Sequence, residues 1–94
     1  MRHCIIVKFD PSQCDKKALI GEIREFFATA PKPEVVRNLE IFENCVDREN
    51  RFDLMIVAEM EKSDLPLWDS SSMHALWKEG FGKFLLSKTI FDYE

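Results

Sequence analysis

The spacing of apolar residues switches between two periods along this chain, and the switches mark out its elements. The opening stretch HCIIVKF, residues 3–9, is β-branched and apolar on both faces, which predicts a central strand. Asp-Pro-Ser closes it. Beyond, up to about Ala30, Leu19, Ile20, Ile23, Phe26, Phe27 and Ala30 recur at the i, i+3, i+4, i+7 spacing of a one-sided helix capped by Asp15 or Ser12. Pro-Lys-Pro at 31–33 stops that helix, since proline cannot continue it.

EVVRNLEIFENC (34–45) predicts a second strand nearer an edge, and FDLMIVAEM (52–60) a third, joined by the polar turn VDRENR. Phe52, Leu54, Ile56, Ala58 and Met60 form one apolar face of the third strand, but Met55 and Val57 are apolar on the other. The first and third strands therefore each need cover on two sides. Two helices cover only one face of a four-stranded sheet, and a second copy of the sheet is the economical cover for the other.

SDLPLWD (63–69) predicts a short helical turn with Ser63 or Asp64 at its N-cap and Pro66 in its first turn. One of Ser70, Ser71 and Ser72 then caps a second main helix over about 73–86, with Met73, Leu76, Trp77, Gly80, Phe81, Phe84 and Leu85 as its buried stripe. KTIFDYE (88–94) closes the chain as a strand. The order is βαββαβ: an α+β, ferredoxin-like single domain over 1–94 with a four-stranded antiparallel sheet.

Composition sharpens this picture in three places. Eight Phe and two Trp among 94 residues are a heavy aromatic load that the core, a ligand or a second subunit must cover. A chain this short buries only about 60–65% of its unfolded surface, so its core must be efficient. The net charge of -4, with basic residues scattered among acids, excludes a nucleic-acid binder, which needs a basic stripe. No apolar run is long enough for a membrane span, and Cys4–Val7 is too short for a signal peptide's apolar core. Cys4, Cys14 and Cys45 are odd in number and lack CxxC spacing, and the two histidines lie at opposite ends. No metal site or disulfide framework follows from them, and the reading is reduced thiols in the cytoplasm.

Three stretches, RHCIIVKF at the start, MHALWKEGFGKFLL in the second helix and the terminal IFDYE, together resemble the stress-responsive A/B barrel (Dabb) family. The resemblance covers essentially the whole chain. It implies a homodimeric α/β barrel in which two sheets face each other, helices outside, with a small-molecule pocket between each sheet and its own helices. In a plant member, olivetolic acid cyclase, a histidine early in the second helix and a tyrosine six residues before it perform a cofactor-independent aldol condensation. Aligned back from IFDY without a gap, the histidine position falls on His74 and the tyrosine position on Trp68. The first-strand pocket histidine corresponds to His3, and a third-strand pocket histidine to Leu54. The His-Pro-x-His of many relatives reads Ser71-Ser72-Met73-His74 here, keeping only the second histidine.

By helical geometry His74 lies about 80° from the centre of its stripe, on the rim. His3 shares a strand face with Ile5, Val7 and Phe9. If helices cover that face, both imidazoles border one cavity, where an imidazole acts as acid or base near neutral pH. His74 is thus the candidate general base and His3 its assistant, against the plainer reading of two histidines hydrogen-bonded to backbone or water. Trp68, Phe26, Phe27, Leu54, Ile56, Trp77 and Phe81 are the candidate ligand-binding wall, or simply the core. Gly80 inside a helix costs about 1 kcal/mol against alanine, which predicts a close approach there.

The first functional reading is a cytoplasmic Dabb-type homodimer that binds a small, partly apolar ligand between sheet and helices without a cofactor. One alternative is a polyketide cyclase/lyase-like enzyme using His74. Another is a non-catalytic regulatory or stress-related dimer whose cavity is filled by its own aromatic side chains. A further one is a haem- or quinone-handling dimeric-barrel monooxygenase, with His74 on the iron.

Overall fold

The computed structural model describes residues 1–94. Its elements are β1 (Arg2–Phe9), α1 (Lys16–Thr29), β2 (Asn38–Glu43), β3 (Leu54–Glu59), α2 (Leu65–Asp69), α3 (Ser72–Phe81) and β4 (Leu85–Tyr93), with 3-10 turns at Lys62–Asp64 and Gly82–Phe84. The strands form one sheet in the order β2-β3-β1-β4. Every neighbouring pair is antiparallel. The two strands with apolar residues on both faces are therefore the two inner ones.

Register fixes which residues share a face, because side chains alternate along a strand. Ile5 stands between Ile56 and Ile90, and Ile41 stands beyond Ile56. On that side His3, Ile5, Val7, Phe9, Leu54, Ile56, Ala58 and Met60 are all buried. They pack with Leu19, Ile20, Ile23 and Phe27 of α1, Trp68 of α2, and Met73 and Trp77 of α3. This helix-covered face holds the core.

Two polar caps set the helix starts. The Asp15 carboxylate accepts from the Lys17 and Ala18 N–H groups at 3.1 and 3.3 Å. Ser71 Oγ accepts from the His74 N–H at 3.2 Å and donates to the Trp68 carbonyl at 2.7 Å. Such a cap stabilises a helix by about 1 kcal/mol. Ser71 also locks the end of α2 to the start of α3, which fixes Trp68 relative to His74.

Several boundaries differ from the pattern. The second strand begins at Asn38 rather than 34, because Glu34 and Val35 form a turn closed by the Val36 N–H donating to the Pro33 carbonyl. Val36 is buried from that loop instead. The second main helix ends at Phe81, not near 86: Gly82–Phe84 tightens to a 3-10 turn and β4 begins at Leu85. Leu76 is exposed rather than buried: the residues that α3 buries are Met73 and Trp77, with Phe81 partly buried beside them. No atom outside the helix backbone lies within 4 Å of where a Gly80 Cβ would stand, so the close approach predicted there does not occur.

Candidate functional site

The residues singled out in the sequence fall into two adjoining groups on the helix-covered face. In the first, Trp68 lies between the two histidines. Its ring centroid is 6.2 Å from that of His3 and 5.6 Å from that of His74, edge-on to both. Trp68 is fully buried, His3 is 6% exposed and His74 is half-buried. The second group is the aromatic chain Phe26–Phe27–Trp77–Phe81, with centroid separations of 4.9 to 5.5 Å. Phe27 and Trp77 are buried with Leu54 and Ile56, whereas Phe26 and Phe81 are half-buried at its outer end.

Each polar group in the first cluster has a distinct status. His3 Nδ1 donates to the Asp92 carboxylate at 2.5 Å, which orients the ring and turns its other nitrogen away from that partner. Asp92 was not legible as a site residue: it faces His3 across the β1–β4 register, 89 residues away in sequence. The Trp68 Nε1–H is buried and has no acceptor. His74 is held below the ordinary imidazole pKa by burial, with Asp69 pulling it up and Lys78 and Lys88 pushing it down. Its neutral form, able to accept a proton or a hydrogen bond, is thus favoured near neutral pH.

That depression links protonation to folding. Between the lowered native pKa and the ordinary value of 6.5, the unfolded chain binds a proton at His74 and the folded chain does not. Stability attributable to His74 therefore rises with pH across this window and flattens above it. Urea midpoints measured from pH 5 to 8, values bracketing the reference imidazole pKa of about 6.5, should fall on acidification more steeply for the wild type than for His74→Asn. Superimposable profiles would remove His74 as the cause.

Side chains fill the space between β1, β3 and the helices. Trp68, Met73, Ile56 and Ala58 are each wholly inaccessible. Two open clefts lie elsewhere. One of about 880 Å³ runs between the β2–β3 loop and the start of α1 and is lined by mixed charges, including Lys8, Lys16, Arg48, Arg51 and Asp53. Within it, Asp53 accepts from the Phe9 N–H at 2.8 Å and pairs with Lys16 at 3.2 Å. A hollow of about 270 Å³ indents the opposite, helix-free face of the sheet. No three His, Cys, Asp or Glu side chains stand together as a metal cage. No helix is long and apolar enough to cross a membrane.

No family model and no curated protein matches the sequence. Solved structures do match its fold. A dimeric protein of unknown function and ferredoxin-like fold from Bacteroides fragilis has TM-score 0.80 and 17% identity, over 99% of this chain and 93% of that one. A Dabb family protein from Mesorhizobium loti has TM-score 0.71 and 8% identity, over 99% and 93%. Hydroxynitrile lyase from Passiflora edulis has TM-score 0.69 and 15% identity, over 98% and 89%. At such identities the likeness speaks for architecture alone, and it agrees with the strand order and the one-sided helix layer described above. The chain has the ferredoxin-like α+β fold of a Dabb-type domain.

Proposed function

We propose that the protein acts as a homodimer, joined through the helix-free faces of its sheets, and binds a small, partly apolar molecule carrying a carbonyl or carboxylate oxygen at the His3–Trp68–His74 cluster. The observation that carries the ligand reading is the Trp68 Nε1–H, buried between two imidazoles with no acceptor. An unpaired buried donor costs about 1–3 kcal/mol, which a ligand oxygen accepting from it recovers. Side chains fill this space, so a ligand enters only as Trp68, the one buried residue of the five-residue α2, moves aside. Leu54, Ile56, Phe27 and Trp77 then form the apolar floor, with Phe26 and Phe81 at the margin. The dimer reading rests on the uncovered apolar face and on the dimeric state of the Bacteroides fragilis protein that shares the fold.

A second reading, acid–base catalysis, is favoured by one observation: the neutral form of His74 is preferred where the ring still reaches solvent. In it His74 takes a proton α to the ligand carbonyl and His3, oriented by Asp92, assists.

Thermal shifts with a panel of small aromatic ketones and carboxylic acids test the proposal. A compound that stabilises the wild type should lose most of its effect with Trp68→Phe, which keeps a ring and removes the N–H. Equal shifts in both proteins would defeat the ligand reading. Retained binding without turnover of a β-keto thioester in His74→Ala would separate catalysis from binding.

A further inference from the structure

The helix-free face of the sheet has a shape that a second copy of the same chain can match in one particular way. Register places Val57, Cys4 and Phe91 side by side in one row, with Glu40 beyond Val57. The next row holds Phe42, Met55, Ile6 and Thr89. The apolar positions therefore run as a diagonal band from Phe42 on the β2 edge to Phe91 on the β4 edge. Cys4 and Val57 at its middle are already buried by their neighbours, yet stand outside the core on the other face.

The two ends of the band are complementary. At the β2 end is the 270 Å³ hollow, whose lining includes Ile6, Phe42, Met55 and Phe52. At the β4 end Phe91 is 60% exposed, the most exposed large apolar side chain in the molecule. We propose that in the homodimer Phe91 of each protomer inserts into the partner's hollow, laying β4 of one sheet across β2 of the other.

Two-fold symmetry makes the exchange reciprocal, so one knob-and-hollow pair implies a second. A face-to-face pair has its two-fold axis in the plane of the interface, and the direction of that axis decides the contacts. An axis across the band swaps its ends, seats both rings and brings Arg2 towards the partner's Glu40. An axis along the band sets Phe91 against the partner's Phe91 and leaves both hollows empty. An axis perpendicular to the strands sets Arg2 over the partner's Lys8, two like charges. Shape and charge both select the first. Each seated phenylalanine ring is the kind of buried aromatic anchor that dominates interface energetics.

The inference rests on the homodimer reading above, and the test separates the two. Sedimentation equilibrium of the full chain should show a dimer whose dissociation constant rises on the order of 100-fold with Phe91→Ala, because symmetry deletes the anchor twice. Ile90→Ala, on the other face of the same strand, should leave it unchanged. Far-ultraviolet circular dichroism confirms that both variants are folded. With the native cysteines replaced by alanine, the Arg2→Cys/Glu40→Cys double variant should form an intermolecular disulfide, and Phe91→Cys alone should not. A wild-type dimer that Phe91→Ala does not weaken, or that crosslinks efficiently through Phe91→Cys alone, overturns the knob and leaves the homodimer standing. A wild type that is monomeric at every concentration overturns both.

Discussion

Trp77→Ala is expected to lower the melting temperature by at least about 12 °C. The ring is 2% exposed and packs at 5.4 Å between centroids against both Phe27 and Phe81. Deleting a buried aromatic side chain removes its transfer energy and leaves a cavity, together costing about 3–5 kcal/mol. A domain of this size has a total stability of roughly 5–15 kcal/mol, with the small end of the range natural for 94 residues. Each kcal/mol moves the midpoint by about 4–8 °C at this length. Trp77→Phe keeps a ring between the same neighbours and should lose far less. Melts followed by circular dichroism check both. A loss under about 1 kcal/mol for Trp77→Ala would mean that this side of the core is loosely filled, contrary to the packing described.

The next largest effect on folding stability belongs to Asp92. Asp92→Ala leaves His3 Nδ1–H without its acceptor in a position where the imidazole is almost wholly buried. Such an orphaned donor costs about 1–3 kcal/mol. The carboxylate side chain is itself 37% exposed, so water reaches the vacated place and the loss falls in the lower half of that range. Asp92→Asn retains an oxygen able to accept and should recover most of the loss. In a His3→Phe background the cost of Asp92→Ala should vanish, since the partner is gone. Urea midpoints of the four proteins decide the matter, and an undiminished cost in that background would assign Asp92 a role independent of His3.

The architecture was legible because its signals are periodic and local. Apolar residues on both faces of 3–9 and 52–60 marked the inner strands, and Asp15 and one of the three serines marked the helix starts. The boundaries that moved are those where local chemistry overrode the period. Val36 is buried from a turn and not from a strand, and the chain tightens into a 3-10 turn at Gly82–Phe84 before the apolar pattern ends. The site was legible only in halves. Strand parity put His3 with Ile5 and Val7, and the helical wheel put His74 on a rim, which is where its half-burial places it. Their shared neighbour, Trp68, entered through family likeness and not through spacing. Asp92 could not be found, because which residue of β4 faces His3 depends on a register set by long-range pairing.

The place of β4 has a consequence for how the chain is made. β1 is synthesised first, but it lies inside the sheet and its pairing partner on one side is the last strand of the domain. Until that strand leaves the ribosome, Cys4-Ile5-Ile6-Val7 presents an open hydrogen-bonding edge to the cell. Pairing β1 with β4 joins residues from opposite ends of the domain, a long-range step that slows folding. In that interval the unpaired edge of the first strand is open to pairing with a wrong partner.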